Sequence, residues 1–251
     1  MLSEIRGPLY FFVLCKNCVF LRLKKHKIMT LQEAILARHS VRQYQEKPIE
    51  AEKINQLQAY IDDCNQKGNL HIQLVTGEPK AFAGGLAKYG KFSGVSNYIA
   101  MVCRKGEDVT LGYYGELVVL TAQTLGLSTC WVGLTFRNRK NTYTLAPGER
   151  LVCVVSLGYG ANPGRQHPQK RTVKDVSNAT DGAPEWFVKG VESALLAPTA
   201  VNQQKFEFIL HKGNQVEAKT KFSLSSYLTL DLGIAKCHFE LGAGKENFEW
   251  R

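Results

Sequence analysis

Proline is scarce in this sequence, with 8 in 251 residues, and methionine and tryptophan number 3 each. This excludes collagen-like and proline-rich extended chains. No apolar run approaches the ~20 residues that a bilayer-spanning helix requires, which excludes a multi-span membrane protein. No G-x-G-x-x-G follows a strand-like segment, and there is no phosphate-binding P-loop. The six histidines have no ligand-like spacing, so a metal centre is not expected. Acidic residues are the minority, 22 against 32 Lys and Arg, and the net charge is +10. Such an excess favours an anionic ligand without requiring nucleic acid. A nucleic-acid reading rests on Arg137, Arg139, Lys140 and the basic stretch 165–171. It has no groove-entering motif or aromatic platform behind it.

What is present is ordinary globular material, 44% hydrophobic and 22% charged. Residues 1–28 differ from the rest. They carry Arg6, Lys16, Arg22, Lys24, Lys25 and Lys27 against Glu4, and two short apolar runs split by Lys16-Asn17. Most of the basic residues follow the first apolar run, the reverse of a secretory signal. Met29 stands directly before a helix start. The expectation is a leader, 1–28, outside the fold. The seven cysteines form no second pair beside the lone Cys15-x-x-Cys18. They read as small buried hydrophobes in a reducing, cytoplasmic setting.

Thr30-Leu31-Gln32-Glu33 has the form of a capping box and opens a helix at 31–38. Apolar periodicity then predicts a helix at 50–65, strands at 70–75 and 97–103, and a helix at 108–125 ended by Gly126. The run 150–157, almost wholly apolar, suits a central strand. A Gly/Pro/Lys/Arg-rich stretch, 161–184, follows as a linker. Beyond it come a helix at 185–197, strands at 205–211 and 215–219 joined at Lys212-Gly213-Asn214, and a helix at 228–241. This order predicts an α+β fold, a mostly antiparallel sheet flanked by helices. Residues 29–160 and 185–251 read as two related halves, each closing a long helix in Leu-Gly, at Leu125-Gly126 and Leu241-Gly242. Gly84-Gly85 and Gly90 read as a loop, and Ala81–Ala87 is apolar enough to pack on the second half.

Two segments carry candidate chemistry. In Arg38-His39-Ser40-Val41-Arg42, two arginines four apart with a hydroxyl between them suit a phosphate or polyol. A solvated helix end explains the same residues. In Pro198-Thr199-Ala200-Val201-Asn202-Gln203-Gln204, Asn202 offers both donor and acceptor to a heterocycle, where a simple turn would also place it.

Taken together, the R-x-S-x-R segment and the Pro-Thr-Ala-x-Asn loop resemble the FMN-dependent nitroreductase family over residues 29–244. Cys130-Trp131-Val132-Gly133 resembles that family's C-W-[IV]-G segment. Leu157-Gly158-Tyr159-Gly160 resembles its G-Y-P turn, with Gly160 in place of proline. Lys170-Arg171 resembles its basic pair.

The resemblance implies an NAD(P)H-dependent FMN oxidoreductase that passes hydride to a nitroaromatic, quinone or similar small acceptor in ping-pong turnover. Related chemistries it leaves open are dehalogenation, flavin fragmentation and non-catalytic flavin binding. No catalytic side chain is implied, because the flavin carries the chemistry. Arg38, Arg42, Lys170 and Arg171 would face the phosphate, with His39 and Ser40 at the phosphate–ribityl region. Lys91 would sit near the ring's pyrimidine edge. A backbone N–H of Val132 or Gly133 would meet the hydride-accepting region. Pro198, Thr199, Ala200 and Asn202 would close the site. In ordinary members the arginine segment and the Pro-Ser-Asn loop of one site come from two subunits. Here about 155 residues of one chain separate them, and each half lacks the other's motif. The chain therefore looks like a fused dimer with one site between its halves, as a monomer or as a homodimer with two such sites.

Overall fold

The computed structural model describes residues 29–164 and 169–251. The expected leader, with its C-x-x-C, lies outside the described residues.

Helix α1 (Leu31–Ala37) starts at the predicted capping box. Thr30 Oγ1 accepts from the Glu33 N–H at 3.2 Å, and Glu33 accepts from the Thr30 N–H at 2.9 Å. Helix α2 (Ala51–Gly68) buries Leu57, Ile61 and Cys64. It runs past the predicted end because Asn69 supplies a left-handed cap. Strands β1 (Gln73–Val75) and β2 (Asn97–Arg104) follow, with a short helix α3 (Gly85–Tyr89) between them. The expected glycine loop is therefore partly helical. Helix α4 (Asp108–Thr124), strand β3 (Ser128–Val132) and strand β4 (Glu149–Gly158) complete the first sheet. Its order is β1-β2-β4-β3, antiparallel throughout, with β4 central as its apolar run predicted.

The expected linker is not wholly irregular. Thr172 and Asp175 form a second capping box that opens helix α5 (Val173–Val176), and Ser177 bridges to Phe208. Helix α6 (Glu185–Leu195), strands β5 (Phe206–Leu210) and β6 (Gln215–Thr220), helix α7 (Leu228–Ala243) and strand β7 (Glu249–Trp250) follow. β5 and β6 are antiparallel; β7 joins β6 in parallel. The fold is α+β, as expected. Contrary to expectation, Leu241-Gly242 does not close α7, which continues to Ala243 and ends at Gly244 (φ 78°). Gly242 instead brings α7 against α6, where a side chain would strike Ser193 and the Lys189 carbonyl.

The centre is the pair α4 and α7. Gly112 of α4 lies against the Leu230 carbonyl and Ile234 nitrogen, and Gly233 of α7 against the Val109 carbonyl and Tyr113 nitrogen. Each helix thus presents a glycine to the other's backbone. Each also carries a buried glutamate that accepts the indole N–H of a tryptophan in the next strand. Trp131 donates to Glu116 at 2.8 Å, and Trp250 to Glu240 at 2.9 Å. Each glutamate is met by a side chain of the other helix as well, His238 on Glu116 and Tyr113 on Glu240.

The main core spans both sheets and includes an aromatic group around Phe208 and Phe239, stacked with centroids 4.5 Å apart. Ala81, Phe82 and Ala87 do not reach the second half. They join Val41, Tyr44 and Tyr98 in a separate core on the other face of the first sheet, because the chain folds back over β2 there. Cys64, Cys103, Cys130, Cys153 and Cys237 are free and buried, as read from the sequence. Among the described residues no helix is long and apolar enough to cross a membrane.

Candidate functional site

A cavity of about 840 Å³ opens between the ends of α1 and β3 on one side and the α6–β5 loop and the start of α7 on the other. Its first wall follows from how α1 ends. Arg38 leaves the helix in an extended conformation, and the chain then runs beside β3, bridging Ser40 to Thr129. Val41 donates to the Thr129 carbonyl at 3.0 Å and turns its side chain into the core. Extended backbone alternates its side chains, so Ser40 and Arg42 point the other way, to the cavity. Arg42 lies 5.9 Å from the Phe92 ring centroid. His39 also lines the wall. Burial, and then the Arg38 charge, lower its pKa, so it is a neutral hydrogen-bonding group at pH 7.

The second wall is Cys130-Trp131-Val132-Gly133. The Gly133 carbonyl accepts from the Tyr227 hydroxyl at 3.0 Å. A Cβ on Gly133 would lie 2.6 Å from that hydroxyl. The residue is glycine because two parts of the chain close on each other there.

The third wall is the loop Pro198–Gln204. Its Val201, Asn202 and Gln204 all take left-handed φ, at 48°, 52° and 48°. For a β-branched residue such as Val201 this conformation is costly, on the order of 1–3 kcal/mol. Asp231 holds the loop in place. Its carboxylate accepts from the Ala200 N–H at 3.0 Å and from the Gln203 amide at 2.9 Å. Gln203 in turn accepts from Ser223 at 2.7 Å, tying in the neighbouring loop. Gln204 is buried on the wall, and its Nε2 donates to the Leu195 carbonyl at 2.7 Å. Its Oε1 has no partner among the described residues.

Burial raises the Asp231 pKa to about 6. The folded chain therefore holds this proton more firmly than the unfolded chain. The resulting stability is present at low pH and is lost as pH rises through 6. Going from pH 7.5 to 5, wild type is expected to gain about 1.4 kcal/mol from this group, a gain absent in Asp231→Asn. Urea unfolding of both proteins at the two pH values checks this. Parallel responses would refute it.

Of the residues singled out in the sequence, Arg38, His39, Ser40, Arg42, Val132, Gly133, Lys170, Pro198, Thr199, Ala200 and Asn202 meet at this cavity. Lys91 and Arg171 do not line it. Lys91 adopts φ 62° in a tight turn and is exposed, while its neighbour Phe92 faces the cavity. Arg171 flanks α5, where its charge helps lower the Asp175 pKa after the larger hydrogen-bond contributions of Thr172. Asp231 and Tyr227 also line the cavity, and Glu116 lies behind Trp131; none of the three is among the residues the sequence singles out. Asp231 and Glu116 did carry a signal, each being an acid inside an otherwise apolar helical stretch.

The cavity thus has cations on the first wall and linker, apolar lining that includes Phe92 and the exposed Leu134 and Leu224, and buried polar groups on the second half. The sequence model of the family described as "Putative TM nitroreductase" matches residues 30–243. The chain belongs to this nitroreductase family. It shares its fold with a structure described as a putative nitroreductase from Thermotoga maritima, at 23% identity and TM-score 0.63, covering 88% of this chain and 87% of that one. A Desulfovibrio desulfuricans structure described as a putative nitroreductase in complex with FMN matches at 15% identity and TM-score 0.43, over 55% of this chain and 90% of that one. A Clostridium acetobutylicum structure described as a putative NADH oxidase matches at 19% identity and TM-score 0.40, over 58% and 99%. A search of the curated proteins returned no match.

Proposed function

We propose that this chain is an FMN-dependent oxidoreductase with one flavin site, built between two fused halves. The carrying observation is the cavity itself. It joins the Arg38–Arg42 segment to the Pro198–Gln204 loop, which lie about 155 residues apart. The donor set suits FMN. Arg38, Arg42 and Lys170 supply positive charge for a phosphate, and Ser40 an adaptable hydroxyl. The unpartnered Gln204 Oε1 is an acceptor for a ligand N–H or O–H. The apolar lining suits a flat ring system. Lys91 and Arg171 are left out of the proposed set.

When bound, FMN would supply two-electron redox chemistry between NAD(P)H and a small acceptor, such as a nitroaromatic or quinone. The chain's own part is to hold and orient. The three cations bind and neutralise the phosphate. Backbone N–H groups at Val132 or Gly133 orient the ring's reacting edge. Pro198, Thr199, Ala200 and Asn202 close the cavity from the second half. No side chain is assigned a proton-transfer step, and both substrates would use the cavity in turn.

The reciprocal glycines and the paired glutamate–tryptophan contacts of α4 and α7 support an internal pseudo-dimer. The pairing is unequal in charge. Glu116 has Arg38 beside it, at 3.7 Å and buried, whereas Glu240 has the exposed Lys245 at 3.3 Å. This asymmetry supports one site per chain.

The test is the visible absorption spectrum of purified protein, with flavin-to-chain stoichiometry after denaturation. One FMN per chain and bleaching by NAD(P)H without oxygen are expected. A colourless protein that fails to take up added FMN would overturn the proposal. Full occupancy with no NAD(P)H oxidation would favour flavin binding without turnover.

A further inference from the structure

Behind the cavity wall lies a buried charged group that the proposed function does not use. Glu116 is fully buried on α4. Its Oε2 accepts from Trp131 Nε1 at 2.8 Å. Its Oε1 faces His238 Nε2 at 2.9 Å and Arg38 Nε at 3.7 Å. Arg38 Nε is buried and makes no hydrogen bond among the described residues. His238, on α7, is also fully buried, and its Nδ1 lies 3.1 Å from the Ser193 carbonyl.

A carbonyl only accepts, so His238 Nδ1 carries a proton. The Nε2–Oε1 contact holds one further proton, on whichever atom keeps it. In either case the Glu116–His238 pair is net neutral. Arg38 then adds its charge, and the three-residue group presents +1. Without His238, the Glu116 carboxylate would stand 3.7 Å from Arg38 and cancel it. In a water-poor interior that cancellation is strong.

We infer that His238 is a positioning residue for anion binding: it neutralises Glu116, so that Glu116 can anchor Arg38 and Trp131 without consuming the Arg38 charge offered to a ligand's phosphate. The site on the first half's arginine segment would then depend on a histidine in the second half that does not line the cavity. The inference rests on the phosphate end of the proposed FMN site.

Three variants test it through equilibrium binding, with FMN and inorganic phosphate as probes. His238→Gln keeps a donor toward Glu116 but removes the compensating proton. It is expected to weaken FMN and phosphate about tenfold, the size of one charge-assisted bond. Glu116→Gln keeps an acceptor for Trp131 and removes the negative charge, so affinity should stay within about threefold of wild type. The double variant Glu116→Gln/His238→Gln should recover wild-type affinity to the same degree. A packing role for His238 would not be rescued by a change at Glu116.

The proposal is overturned if His238→Gln binds as wild type does, or if the double variant is as weak as the single one. Should His238→Gln fail to fold, Glu116→Gln decides: a tenfold loss there means that the carboxylate charge itself is required, contrary to the inference. Wild type that binds phosphate but not FMN would sink the flavin reading alone, and the same pattern with phosphate would still support His238. Wild type that binds neither overturns both.

Discussion

Gly233→Ala is expected to destabilise the protein by about 3 kcal/mol or more, the upper range for overpacking a close contact. The added Cβ would meet the Val109 carbonyl and the Tyr113 nitrogen, which are backbone atoms of α4. A flexible side chain can swing aside; a helix backbone cannot without moving the whole element. Shifting α4 would disturb Gly112 as well, since its own contact is with Leu230 and Ile234 on α7. The α4–α7 pair also carries the main core, so the loss would take a large part of the 5–15 kcal/mol that typically holds a domain together. Gly182→Ala is the control, because no described residue lies within 4 Å of a Cβ there. Urea unfolding should separate the two variants clearly. Equal midpoints would show that the central helices tolerate separation, and the fused-halves reading would lose its main physical support.

The second large effect concerns the cavity. Arg42→Ala should weaken FMN binding by about 1.5–3 kcal/mol, the range for hydrogen bonds to a charged group. Riboflavin, which lacks the phosphate, should be indifferent to this change. Asn202→Ala should weaken both flavins, because its proposed partner is the ring system rather than the phosphate. The two residues stand on opposite walls of one cavity. Titration of each variant with each flavin gives four affinities. If Arg42→Ala binds FMN normally, the phosphate lies elsewhere. If Asn202→Ala changes unfolding but neither affinity, the loop serves the fold and not the ligand.

The elements were legible because their signals are local. The Thr30 capping box, the 3.6-residue spacing of Leu57, Ile61 and Cys64 and the apolar run of β4 each act within a turn or a strand. Where expectation and structure part, the cause is tertiary. Gly242 reads as a helix end, yet it lies inside α7 because α6 presses on it. One departure is local instead: 172–176 reads as linker, yet the Thr172–Asp175 capping box opens a helix there. The five mixed residues of β3 carry little periodicity, and pairing with β4 is what makes them a strand.

The same division holds at the candidate site. By itself the sequence determined the chemical types available: two arginines flanking Ser40, a turn-forming Pro-Thr-Ala-x-Asn loop, and a C-W-V-G segment. These depend on neighbours only a few residues apart. The tertiary structure alone decided which of the cations face the cavity. It set aside Lys91, whose side chain a left-handed turn sends to solvent, and Arg171 beside α5. It also revealed Asp231 and the Glu116–His238 pair. Charge compensation requires burial and a partner within a few ångströms. The partner of Glu116 stands 122 positions away along the chain, at a distance no sequence spacing encodes.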